Sequence, residues 1–198
     1  MKIIAVALAV IFTVTSEGRP LKDVRFTGEG CPKESTDVVM TEDGQTISVL
    51  FSKFKAEVGG STGKETARIV CNIEIPIDIP KGMGLGVFKL DYRGYTVLPK
   101  RAKALLDVEY DLGPHRSPKF QKHFNNEKKG DFDAEDRLPP EHAAKSIGCN
   151  GEDPKLKLRA FITVDTNKEK EQAVFMLDSA DGTMKGGLHY RMKVAKCR

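Results

Sequence analysis

Between positions 67 and 79, Ala67, Ile69, Cys71, Ile73, Ile75, Ile77 and Ile79 alternate with Arg68, Val70, Asn72, Glu74, Pro76 and Asp78. Side chains repeat every two residues along a strand and every 3.6 along a helix, so this run commits the chain to a sheet with one dry face and one wet face. Pro76 has no N–H to give to a ladder, which favours an edge position or a bulge for this strand. Upstream, 37–41 and 46–54 flank Glu42-Asp43-Gly44-Gln45, whose Asp-Gly pair makes a hairpin. Further strands are expected at 85–98, 104–112, 156–164, 173–178 and 188–194, with Asp181-Gly182 turning the last two against each other. Residues 114–148 differ: they hold few apolar residues, four prolines and dense charge, and read as a long, largely irregular insertion. The expected fold class is all-β, an antiparallel β-sandwich. A closed β-barrel is the alternative, because periodicity does not separate two stacked sheets from one sheet closed on itself.

Compartment decides how the cysteines are read. Lys2, ten apolar residues at 3–12 and the small residues Val14-Thr15-Ser16 form the pattern of a signal peptide, with cleavage after Ser16 or Gly18. Ten apolar residues are too few for a membrane-spanning helix, which takes about 20. The expected division is 1–16 signal peptide, 17–29 N-terminal segment and 30–198 a single domain, secreted and without a membrane span. With 39% hydrophobic residues, a disordered tail protein is excluded. In an exported chain the four cysteines, Cys31, Cys71, Cys149 and Cys197, are expected to be oxidised into two bridges. Three pairings are open; the sequential one is preferred and closes loops of about 40 to 50 residues, each worth about 4 kcal/mol in the chain-entropy model. Zinc fits poorly, since no C-x-x-C spacing occurs and no His stands beside a cysteine at ligand spacing. The formal charge of +4 arises from 32 basic against 28 acidic side chains, a mixed surface that does not specify nucleic acid. The chain holds no N-x-Ser/Thr site for N-glycosylation.

Several patterns carry chemistry. Lys155, Lys157 and Arg159 share one face of a strand, and His189, Arg191 and Lys193 share one face of another. If those strands are neighbours they build a cationic stripe for an anionic polysaccharide. Asp131, Asp133, Glu135 and Asp136 crowd four carboxylates into six residues and are the candidate calcium ligands, although the run lacks the Gly and the Glu of an EF-hand. Asp91 and Arg93 share one strand face, with Tyr92 on the other, and are candidate ligand-binding residues. Gly59-Gly60-Ser61-Thr62-Gly63 formally matches a nucleophile elbow, but a strand follows where a helix is needed. Gly82-Met83-Gly84-Leu85-Gly86 lacks the third glycine of a dinucleotide loop. The four histidines, His115, His123, His142 and His189, stand at no recognisable catalytic spacing, so no catalytic residue is assigned.

A set of residues resembles a known family, the secreted domain of unknown function 4360. They are Gly30-Cys31-Pro32, the Asp43-Gly44 turn with Phe51 and Phe54, Cys71-Asn72, Pro80-Lys81-Gly82, Asp91-Tyr92-Arg93-Gly94-Tyr95 with Leu98, Tyr110, Gly148-Cys149, Asp178-Ser179-Ala180-Asp181-Gly182 and Cys197. The resemblance implies export, two disulfides and a β-rich fold, and no particular activity. The functional expectation is a non-catalytic extracellular binding or matrix-associated module for an anionic polysaccharide. The alternative is a secreted hydrolase of a cell-wall or matrix polymer using carboxylates such as Asp91 and Asp133, which needs two carboxyl groups about 5 to 10 Å apart. A calcium-associated matrix protein is a third class. Oligomeric state is left open.

Overall fold

The alternating run forms β6 (Thr66–Pro76), and its inward residues Cys71, Ile73 and Ile75 are buried. A computed structural model describes residues 19–111, 119–125, 127–138, 147–149, 154–177 and 187–197. The candidate leader, His115, His142 and the Asp181-Gly182 turn lie outside these residues. Every strand pairing is antiparallel, and the strands fall into two stacked sheets that do not close into a barrel.

The second sheet runs β2 (Arg25–Thr27), β6, β11 (Lys155–Asp165), β8 (Lys103–Asp111) and β9 (Lys119–Phe124). The first sheet runs β1 (Arg19–Pro20), β3 (Thr36–Met40), β4 (Thr46–Phe51), β13 (Gly187–Lys196) and β7 (Met83–Leu98). It continues from β7 through β12 (Ala173–Met176) to β5 (Lys55–Val58), and β10 (Lys128–Arg137) takes the opposite edge of β7. The inward phases of β6, β8 and β11 meet those of β4, β7, β12 and β13 in one core that includes Ile75, Leu106, Leu158, Ile162, Val49, Leu90, Phe175 and Leu188.

Three expectations are corrected. Residues 114–148 are not one irregular insertion: they supply β9 and β10, one to each sheet. The strands escaped periodicity because their inward positions hold few large apolar groups, chiefly Phe120, Phe124 and Phe132, among charges. β6 is not an edge strand, since it lies between β2 and β11; Pro76 is tolerated because it is the last residue of the strand. β12 and β13 do not pair with each other but lie end to end along one edge of β7, opposite Tyr95–Val97 and Met83–Arg93 respectively.

The hairpin between β3 and β4 is as expected. Gly44 takes φ 65°, and the Asp43 carboxylate accepts from the Thr41 hydroxyl at 2.6 Å and the Gln45 N–H at 2.9 Å. The disulfides are sequential, Cys31 with Cys71 and Cys149 with Cys197, with Cα separations of 5.3 and 5.5 Å. The first ties the segment after the short strand β2 onto β6. The second ties the end of β13 to residues 147–149, which bridge to β7 through Leu85 and Ile147.

Two features of the Asp91–Tyr95 block are structural. Gly94 stands opposite Phe132 on β10, where a methyl group would lie 2.1 Å from the Met176 carbonyl oxygen and 2.8 Å from the Phe132 ring. Phe132 also packs 4.7 Å from Phe175 and 4.9 Å from Phe124, so the missing side chain makes room for an aromatic cluster that joins the sheets at this side. Tyr92 points inward from β7 and Tyr110 inward from β8. Their hydroxyls bond to each other, and Tyr110 donates to Asp136 at 2.9 Å, so Tyr92 donates into Tyr110. Burial raises the Asp136 carboxyl above the usual carboxylate range, opposed by the Tyr110 bond.

Gly94→Ala is expected to cost about 1–3 kcal/mol in chemical denaturation, because neither the backbone oxygen nor the clustered ring has room to retreat. For Asp136, the folded carboxyl holds its proton more tightly than the unfolded one. Its stabilising contribution is therefore present below the unfolded value and is lost as pH rises through the folded value. Thermal melts should show Asp136→Asn gaining on the wild type between pH 4 and pH 7, by about 2 °C for this half-buried group.

Candidate functional site

Two broad outer faces point away from the shared core, and the structure divides the candidate residues between them. β11 belongs to the second sheet and β13 to the first. Leu156, Leu158 and Ile162 of β11 and Leu188, Tyr190 and Met192 of β13 fill the core from opposite sides, so their outward neighbours diverge. Lys155, Lys157 and Arg159 therefore do not form one stripe with His189, Arg191 and Lys193.

On the first sheet, β13, β7 and β10 set side chains in register: Arg191, Lys89 and Arg137 in one row, then His189, Asp91 and Glu135, then Gly187, Arg93 and Asp133. Of these, Lys89, Asp91, Arg93, Asp133, Glu135 and Arg191 line a recess of about 380 Å³. Lys89 reaches Asp91 at 3.0 Å and Glu135 at 2.6 Å, Arg93 reaches Asp133 at 3.2 Å, Arg137 reaches Glu135 at 2.5 Å and Arg191 stands 3.8 Å from Asp91. Hydrogen bonds from Lys89 and then Arg137 hold the Glu135 carboxyl below the usual range. Ser48 of β4 extends the middle row, and its hydroxyl lies 2.8 Å from His189 Nδ1. This is not a catalytic triad. Asp91 is engaged by Lys89 and Arg191, while the far nitrogen of His189, Nε2, is buried without a partner among the described residues. Burial, and then Arg93, lowers the His189 pKa, with Asp91 opposing.

The candidate calcium ligands do not converge. They lie on a strand, so Asp131, Asp133 and Glu135 face outward while Asp136 turns inward to Tyr110. Arg93 holds Asp133 and Lys89 holds Glu135. Among the described residues no group of three or more potential metal ligands is gathered.

On the second sheet, one row across four strands reads Arg25, Glu74, Lys157, Asp111, and the next across five reads Thr27, Asn72, Arg159, Glu109, Lys119. These rows line an open groove of about 380 Å³. Lys155 binds Glu74 at 2.9 Å, Lys119 binds Glu109 and Asp107 at 3.1 Å each, and Lys157 stands 3.9 Å from Asp111. Arg25, Arg159 and Arg68, by contrast, make no ion pair among the described residues, and Arg68 and Arg159 lie against the Phe161 ring. From the level of Arg25, opposite Glu74, to Arg68 is six residues of β6, about 20 Å. Arg25, Arg68 and Phe161 were not among the sequence candidates. Arg68 was visible on the wet phase of the isoleucine run, whereas Arg25 sits on a three-residue strand with no periodic signal. His123 lies on the exposed side of β9, and the Ser61 segment is a short 3-10 turn followed by β6.

The chain is similar to an uncharacterized secreted protein of Arthroderma benhamiae, 25% identical over 173 residues that span 85% of this chain and 68% of that protein. Among solved structures it is similar to TmCBM61 in complex with β-1,4-galactotriose, at 12% identity and a TM-score of 0.32 over 90% of this chain and 91% of that one. A second is the enzymatically active domain of bacteriophage CBA120 tailspike protein 4, at 9% identity and a TM-score of 0.26 over 88% of this chain and 19% of that one. A family model matches residues 19–197, so the two disulfides, the hairpin and the Asp91–Tyr95 block stand in a chain that belongs to the family described as Domain of unknown function (DUF4360).

Proposed function

We propose that this protein is a secreted, non-catalytic binding module that holds an anionic polysaccharide along the outer face of its second sheet. The observation that carries this reading is the set of three guanidinium groups, Arg25, Arg159 and Arg68, none of which has a carboxylate within 4 Å among the described residues, although the charge of Arg25 is felt by Glu74, on a face where Lys155, Lys119 and Lys157 stand against acids. Guanidinium groups offer paired, coplanar donors that suit carboxylate and sulfate oxygens. A spread of about 20 Å suits a polymer with repeated charges better than a single small anion. Lys157 adds a fourth cation within the groove.

Binding is favoured over hydrolysis by the state of the carboxylates. A glycosidase needs one acid held protonated near neutral pH beside a second, free carboxylate. Asp91, Asp133 and Glu135 are each engaged by a cation, and Glu135 is driven toward its charged form. Asp136, whose carboxyl is raised, faces Tyr110 in the interior.

On immobilised dextran sulfate, the full chain should be retained and should elute earlier as salt rises. Arg25→Gln and Lys157→Gln are expected to weaken binding about three- to tenfold each. Arg191→Gln, on the opposite face, should leave it unchanged. Equal losses at all three positions, or no retention of the wild type, would overturn the assignment to this face.

A further inference from the structure

Arg68 and Arg159 converge on one ring. The guanidinium carbon of Arg68 lies 4.3 Å from the Phe161 centroid and that of Arg159 lies 5.0 Å from it. The two groups are thus no farther apart than those two distances laid end to end. Phe161 sits on the outward phase of β11, register-paired with Val70 on β6 and Asp107 on β8, and is only 9% exposed. An aromatic ring on the wet side of a sheet is flanked here by two guanidinium groups, each within cation–π distance of its centroid.

The carboxylates beside this ring on β8 are engaged by a lysine. Asp107 is held through Oδ2 by Lys119 at 3.1 Å and by the Gln121 amide at 3.0 Å, its Oδ1 being buried without a partner among the described residues, and Glu109 is held by Lys119 at 3.1 Å. Four other described arginines, Arg93, Arg101, Arg137 and Arg191, each stand within 4 Å of a carboxylate, at 3.2, 3.9, 2.5 and 3.8 Å, whereas Arg19 and Arg25, like the pair at the ring, do not. Two guanidinium groups gathered at one ring, with no carboxylate within 4 Å of either among the described residues, put two sets of N–H donors in one neighbourhood.

Resting on the reading of this face as a polyanion surface, we infer that Arg68, Phe161 and Arg159 form a clamp that seats one carboxylate or sulfate group of the polymer between the two guanidinium groups. Phe161 is a positioning residue: it fixes the planes of the arginines and makes no polar contact itself. The clamp discriminates by geometry as well as charge, because an ammonium group cannot reproduce a paired, coplanar donor edge.

Charge-conserving variants test this. Titration calorimetry of the full chain with dextran sulfate and with polygalacturonate is run on the wild type, Arg68→Lys, Arg159→Lys and Phe161→Leu, with thermal melts alongside. Each lysine variant is expected to bind about five- to tenfold more weakly at unchanged net charge and unchanged melting temperature. Phe161→Leu should weaken binding although no charge is touched; should it fail to fold, the two exposed lysine variants decide the matter. A loss confined to one polymer supports the clamp and identifies its oxyanion. Lysine variants that bind like the wild type overturn the clamp and leave the polyanion surface standing as simple electrostatics. A wild type that binds neither polymer overturns both.

Discussion

The eleven-residue ladder between β6 and β11 decides which side chains the second sheet presents. Strand side chains alternate strictly, so a slip of one residue would turn Lys157 and Arg159 inward and Leu158 out. The slip is blocked from both sides. Cys71, Ile73 and Ile75 on β6 and Ala104, Leu106, Val108 and Tyr110 on β8 all bury the same phase that β11 buries with Leu156, Leu158, Ala160, Ile162 and Val164. The Cys31–Cys71 bridge then fixes the segment beside β2 to the middle of β6, which holds Arg25 opposite Glu74. The groove is thus a by-product of core packing one layer below.

What could be read from the sequence followed from how strongly each segment's apolar pattern speaks. β6, β7, β8 and β11 bury large aliphatic groups at every second position and were placed to within a few residues. The Asp43-Gly44 turn was legible because its chemistry is local. β9 and β10 were not, since polar residues fill four of the six positions of Lys119–Phe124 and charged ones most of Lys128–Arg137, and periodicity has little to act on. Strand partnership was not legible either. Whether β11 and β13 are neighbours depends on the path through β7, a tertiary fact with no local signature, and the six-residue stripe failed on that point alone. The acidic run misled for a related reason: spacing that suits a metal loop places ligands on opposite sides once the segment is extended, and Asp136 went to the interior.

The two wet faces use charge in different ways. On the first sheet each cation of the central rows has a carboxylate in reach, and such exposed pairs contribute about 0–1 kcal/mol each, too little to explain the fold. They leave a surface with small net field. On the second sheet Lys155, Lys119 and Lys157 stand against acids, while Arg25, Arg68 and Arg159 have no carboxylate within 4 Å among the described residues. An exposed, hydrated guanidinium costs the fold little, so this imbalance is compatible with a stable domain. Inside, the Tyr92–Tyr110–Asp136 chain links the sheets through polar groups, while the Tyr190 hydroxyl remains unpartnered among the described residues. Both belong to a core otherwise built from aliphatic and phenylalanine side chains.

Among the described residues β10 pairs only with β7, so on that count its ten-residue far edge forms one rim of the first sheet. Such a hem invites stacking of one molecule on the next into fibrils. Here the strand carries blocks of sign, Lys128 and Lys129 followed by Asp131, Asp133, Glu135 and Asp136 and then Arg137; a copy laid antiparallel about Phe132 brings Asp131 against Asp133 but also Lys129 against Glu135 and Lys128 against Asp136, so charge alone gives this rim no guard against a second copy.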